Sequence, residues 1–255
     1  MGLLGLYLPN CWQGEEGIEP LELYVGKPYK INDKIICLQP TIGDIIDYGE
    51  TAYFSILHTV CATPADMKVR LFDGGINWME IDNFELFSMI APSLPVEQTS
   101  IILGDLNLSA LKTYRSKENG EIILANPEQR VKIDRLIYER MINCLRKMHG
   151  LKANNEKAHN KATMRAMIEN DRQTMELNSK KEPSSYLLPL ISSVRCKMGW
   201  TKDYILQEGI YSFFDTVNRL NVIDNADHLI SGIYQGTVDS KKISKDQLNW
   251  MRELK

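Results

Sequence analysis

Long apolar runs are absent from this 255-residue chain. Nothing approaches the roughly 20 consecutive apolar residues a membrane-crossing helix needs. The opening Met1-Gly2-Leu3-Leu4-Gly5-Leu6-Tyr7-Leu8-Pro9-Asn10 has no basic stretch ahead of its apolar residues, so it does not read as a secretory signal. Cysteine is sparse: Cys11, Cys37, Cys61, Cys144 and Cys196 are odd in number and at least 24 residues apart. That spacing fits neither a disulfide framework nor paired CxxC metal ligands, and most of these thiols are expected to be buried small apolar residues. A soluble protein of the reducing interior is the expectation.

Net charge is also nearly absent, at -3, which gives no overall pull toward nucleic acid or anionic membrane. The small total conceals segregation. Residues 1–129 carry 8 basic against 18 acidic side chains, residues 130–182 carry 13 against 7, and residues 183–255 carry 9 against 8. An acidic N-terminal half, a basic middle and a balanced end point to specific contacts within the chain or between copies.

Recognisable catalytic motifs are missing: no GxSxG, GxxxxGK[ST], GxGxxG or HExxH occurs. The four histidines, His58, His149, His159 and His228, place no two on one helical turn, so they read as surface, cap or core residues. Cys144 and His149 are five residues apart, about 140° around a helix, which is poor geometry for a nucleophile and its base. Asp105-Leu106-Asn107-Leu108-Ser109 opens like a calcium loop. Ala110 then stands where that loop needs Gly and Ser116 where it needs Glu, so a strand and turn is the better reading. Asp44 and Asp47 share a helix face at i and i+3, where solvated carboxylates are the ordinary explanation. The basic stretch Arg130 to Lys181 contains one aromatic residue, Tyr138, and therefore lacks the stacking platform of a single-strand nucleic-acid binder. No catalytic residue, cofactor or metal ligand is assigned.

What is present is a patterned, 44% apolar chain that can bury a sizeable core. Leu21-Glu22-Leu23-Tyr24-Val25 alternates like a strand, and two short strands flank the turn Asn32-Asp33-Lys34. Thr41 with Asp44 resembles a capping box and opens a helix carrying Ile42, Ile45, Ile46, Phe54 and Leu57. Thr63-Pro64 starts a short helix and Asp82 another. Ser100-Ile101-Ile102-Leu103 reads as a strand, and a hairpin is expected about Asn119-Gly120. From Pro127 to Met148 apolar residues recur at helical spacing. Asn155 to Leu177 is a polar helix with a thin apolar stripe of Met164, Met167, Ile168 and Met175. Ser184 or Ser185 caps the next helix, to Met198; further helices are expected over Lys202–Leu220, over Ala226–Tyr234 behind Asn225, and after the Ser244/Gln247 capping box. The fold expected is α+β, predominantly α, with small antiparallel β elements in the N-terminal half. Provisional domains are 1–126, 127–181 and 182–255. Trp78, Phe84, Phe87, Tyr211, Phe213 and Phe214 are candidate core residues. Met164, Met167 and Met175 are candidate partner contacts, because methionine on an otherwise polar helix suits an adaptable surface; packing on the chain's own domain is the plain alternative.

Two stretches carry a resemblance. Lys30-Ile31-Asn32-Asp33-Lys34-Ile35-Ile36 with Gln39-Pro40-Thr41-Ile42-Gly43-Asp44-Ile45-Ile46-Asp47-Tyr48-Gly49-Glu50 is one. The other is Gly232-Ile233-Tyr234-Gln235-Gly236-Thr237-Val238-Asp239-Ser240-Lys241-Lys242-Ile243 with Leu248-Asn249-Trp250. Both resemble proteins of the tail and structural modules of tailed bacteriophages of Gram-positive hosts, some of them tail assembly chaperones. The resemblance implies a non-enzymatic protein that binds the tape measure and tail tube proteins in the host cytoplasm during assembly. It also admits a virion subunit in the connector, tail or baseplate, with inter-subunit arms at the Asn119-Gly120 hairpin and the irregular first 20 residues. Self-association into a homo-oligomer is compatible with either. No membrane or nucleic-acid partner and no cofactor is implied, and an uncharacterised enzyme is the third reading.

Overall fold

The computed structural model describes residues 18–116, 120–182 and 184–254. Cys11, the irregular lead, Asn119 and Pro183 lie outside the described residues. The N-terminal half is α+β and helices dominate the rest, as the patterning predicts.

The chain opens with α1 (Pro20–Tyr24) and a two-stranded antiparallel ribbon, β1 (Tyr29–Lys30) and β2 (Ile36–Cys37). α1 corrects the expectation of a strand at Leu21–Val25. Alternation would set Leu21, Leu23 and Val25 on one face. Instead Pro20 starts a helical turn that buries Leu23 alone and leaves Leu21 and Val25 77% and 65% exposed.

The Thr41/Asp44 capping box is formed and opens α2 (Ile42–Tyr48). Gly49, at φ 98°, ends α2 and turns the chain into α3 (Glu50–Val60), splitting the single helix expected there. Thr63 caps one turn through Asp66, and α4 (Lys68–Asp73) begins four residues later than the Thr-Pro signal implies. Asp82 and Glu85 form a second capping box for α5 (Asn83–Ile90).

Ser100–Leu103 is not a strand but the second half of α6 (Val96–Leu103), which follows Pro95. Its buried residues, Thr99, Ile102 and Leu103, sit at i, i+3 and i+4, a helical face hidden inside a β-rich tetrapeptide. Among the described residues, Asp105–Ser109 forms no strand; a 3-10 turn over Leu108–Ala110 is capped by Asn107.

β3 (Lys112–Arg115), β4 (Ile122–Asn126) and β5 (Val131–Ile133) form an antiparallel sheet in that order, crossing position 126. β5 corrects the expected helix start at Pro127. Pro127 begins a turn in which Asn126 Oδ1 accepts from Glu128 N (3.0 Å) and Gln129 N (3.3 Å), and Arg130 takes φ 55°. The helix α7 (Arg135–His149) starts only after Asp134, whose side chain accepts from Ile137 N, and ends at left-handed Gly150.

An extended linker leads to α8 (Lys161–Ser179), followed by α9 (Leu187–Met198) and α10 (Lys202–Gln207). Ser185 Oγ accepts from Leu188 N (2.9 Å) in the first turn of α9, while the N-cap position itself is Tyr186 and not Ser184 or Ser185. α11 (Ile210–Tyr234) then runs 25 residues without interruption, so Asn225 sits exposed in mid-helix and is not a cap. The break falls earlier, at Glu208-Gly209, because Ile42 N donates to Glu208 O (2.9 Å) and Ile210 N to Pro40 O (3.0 Å). α12 (Lys245–Leu248) opens at the expected Ser244/Gln247 box and returns along α11, where Arg219 Nη1 donates to Trp250 O and Arg252 O, both at 2.7 Å.

One apolar core extends from Leu23 to Phe213, with Tyr53, Phe84, Phe87, Met141, Leu145 and Met148 near its centre. A smaller one gathers Ala62, Ala65, Leu71, Trp78 and Leu86 beneath α8. Of the six aromatic core candidates, Trp78, Phe84, Phe87 and Phe213 are buried, and Tyr211 and Phe214 pack partly buried against the main core.

Candidate partner-binding cleft

α8 is built from a sequence with few apolar residues, so how it is held decides what it can do. Asn160 caps it by accepting from Thr163 N (2.8 Å). Ile168 is its one buried residue, and Met164 and Met167 pack, partly buried, against the small core. The rest of the attachment is ionic. Lys68 of α4, with its side chain only 4% exposed, reaches Asp171 Oδ2 (2.7 Å) and Glu156 Oε2 (3.0 Å). Burial pulls the Lys68 ammonium toward its neutral form, but the Asp171 and Glu156 carboxylates outweigh that and hold it above its ordinary range. Arg172 pairs with Asp73, and Asn154 Nδ2 donates to Asp66 Oδ1 (3.0 Å), fixing the linker ahead of α8.

Met175, the third candidate, lies 46% exposed one turn beyond Asp171. It forms one wall of an open cleft of about 460 Å³ between α3, α4 and the end of α7. Ala62, Met67 and Leu151 supply apolar floor; Arg70, Arg146, Lys152 and His58 stand around it. The one carboxylate in the lining, Asp66, already accepts from Thr63 and Asn154. Arg146 is aimed by its bond to Cys61 O (2.7 Å). The cleft therefore pairs soft apolar contacts with a cationic rim, a combination that suits an acidic amphipathic segment. Sequence spacing pointed to Met175 but not to the cations, which come from three other elements and meet only in the fold.

Arg146, Leu151 and Lys152 also border a second cleft of about 1070 Å³ between α7, α11 and the returning C-terminal segment. Tyr211 and Phe214 line it beside Asp215, whose carboxyl burial pushes above its usual range, against the pull of Arg219. The two clefts thus flank the α7–α8 linker.

Other sequence candidates are placed differently. His149 is buried, with Nδ1 against Leu145 O (2.6 Å) and Nε2 against the Tyr53 hydroxyl, so neither ring nitrogen is available to Cys144. Burial lowers the His149 pKa to about 4, with the Leu145 carbonyl acting in the opposite direction. Cys37, Cys61 and Cys144 are buried and Cys196 is exposed. Burial pushes the Cys61 thiol up to about 12; the Cys37 thiol rises through its hydrogen bond with Cys144 and burial. Asp44 is occupied as the partner of Thr41, and Asp47 is exposed on the same helix. Among the described residues no group of three or more His, Cys, Asp or Glu side chains could hold a metal ion, and no helix is long and apolar enough to cross a membrane.

A family model, the YomV second domain, matches residues 178–255, the segment carrying α9 to α12. YomV is a protein of the Bacillus phage SPbeta region, so the likeness supports a phage protein. No curated protein and no solved structure matches the chain.

Proposed function

We propose that this chain is a non-enzymatic phage morphogenesis protein, a tail assembly chaperone that holds the tape measure and tail tube proteins in the host cytoplasm while the tail is built. The observation that carries the reading is the Met175 cleft: an exposed thioether and apolar floor ringed by Arg70, Arg146 and Lys152, on a helix tied down along one face. A long helical partner with acidic and aliphatic residues at i, i+3 and i+4 spacing is the kind of occupant such a cleft takes. The phage likeness of residues 178–255 supports the setting.

A virion subunit is the second reading, and one observation favours it. β3 is an edge strand whose four residues, Lys112–Arg115, are all exposed, so its outer backbone groups could pair with a neighbouring subunit. Particle composition separates the two. A chaperone is abundant in the infected-cell lysate and missing from purified particles. A fixed copy number in particles refutes the chaperone reading.

A further inference from the structure

The groove beside α2 differs from the Met175 cleft in charge. It holds about 530 Å³ between α2, α6 and the loops around β1 and β2, with walls from Pro28, Leu38, Pro40 and Ile101. Its charged lining residues are both carboxylates, Asp44 and Asp47. Asp44 serves the capping box; Asp47 is exposed and, among the described residues, has no hydrogen-bond or ion-pair partner. Apolar walls with acid at the rim call for an occupant that is an aliphatic knob followed by cations.

The chain presents such a feature elsewhere. Leu177 lies on the face of α8 opposite Ile168 and is 62% exposed, and Lys180 and Lys181 follow it at i+3 and i+4. Lys180 is held by Glu176 of its own helix (2.6 Å) and Lys181 by Asn178 (2.7 Å), both at the exposed surface where such bonds exchange readily. The match extends to the whole chain, since the groove belongs to the segment with 18 acidic against 8 basic residues and α8 to the one with 13 basic against 7 acidic.

We infer that copies of this chain associate head to tail, with Leu177, Lys180 and Lys181 of one copy seated in the Asp47 groove of the next. The two surfaces are different parts of the molecule, so the contact is heterologous: it leaves a free groove at one end and a free α8 at the other, and repeats until it closes into a ring or continues as a filament. It uses neither Met175 nor the cationic cleft, so it stands or falls separately from the proposed function.

Sedimentation velocity on the full chain alone, over a series of protein concentrations and at two salt concentrations, tests it. The mass is expected to rise above the 29.2 kDa of one chain with concentration and to fall back with salt. Asp47→Lys and Leu177→Lys, both at exposed positions, should each weaken association about tenfold. An equimolar mixture of the two variants retains one intact contact, between the α8 of the first and the groove of the second, while the opposite ends repel. It is therefore expected to form two-chain species and nothing larger. A wild-type chain that stays monomeric, variants that associate like wild type, or a mixture that stays monomeric or grows further would overturn the inference.

Discussion

Lys68→Met is the sharpest probe of how α8 is held. The ammonium is buried, and Asp171 and Glu156 approach it at 2.7 and 3.0 Å. Removing one partner of a fully buried ion pair costs roughly 3–5 kcal/mol, because the charge left behind is stranded. Here the stranded carboxylates are 30% and 48% exposed, so water recovers much of their solvation, and a net loss of about 1.5 kcal/mol is expected. That corresponds to roughly a tenfold rise in the population with α8 detached. Hydrogen exchange read by mass spectrometry should show faster exchange across 161–179 with little change in α7. Equal exchange in variant and wild type would refute the claim that the Lys68 cluster helps to anchor this helix. Uniformly faster exchange would show that α8 does not open as a separate unit.

Three further outcomes follow from the same geometry. His149 has a folded-state pKa of about 4 against 6.5 for the ordinary side chain, so the unfolded chain binds the extra proton between those values. Its contribution is fully present above about pH 6.5 and is lost as pH falls toward 4, by up to about 3 kcal/mol; His149→Gln should flatten denaturant midpoints over that window, and an unchanged slope would show another group is responsible. Gly43→Ala gains up to about 1 kcal/mol of helix propensity, yet its Cβ would stand 2.9 Å from Leu206 O, a backbone atom that cannot swing away. Overpacking of about 1–3 kcal/mol should win, lowering the melting temperature by a few degrees, whereas a rise would mean α2 and α10 part easily. Ile168→Ala should cost about 2–4 kcal/mol in a chemical denaturation curve, since it removes the one buried side chain of α8; a loss below 1 kcal/mol would mean that α8 stays packed without it.

The elements legible in the sequence are those with a local chemical signature. Thr41/Asp44, Asp82 and Ser244/Gln247 announce their helices because caps satisfy backbone groups within three residues. Where the deciding contact is distant, the sequence misleads. Ser100–Leu103 has β-prone residues but belongs to a helix that packs on β2, where Leu38 N donates to Ile102 O (2.8 Å). Pro127 resembles a helix start, but Val131 and Ile133 are drawn into a sheet with β4. The break between α10 and α11 is fixed by Pro40 and Ile42, more than 160 residues away, while Asn225 suggests one that does not form. The candidate site divides the same way. Helical spacing singled out the three methionines, and two of them face the chain's own small core. The cations around Met175 come from α4, α7 and the linker, and no local spacing joins them.

The measurement closest to the central claim is the affinity of the full chain for the tape measure protein of its phage, compared between wild type, Met175→Glu and Lys152→Glu. Both changes sit at the cleft, and Met175 and Lys152 are exposed, so folding should be unaffected. Binding is expected to weaken about 10- to 100-fold for Met175→Glu and less for Lys152→Glu, with added salt weakening the wild type. Equal affinity for all three proteins, or no binding by the wild type, would contradict the proposal that this chain acts as a chaperone gripping a tape measure partner through the Met175 cleft.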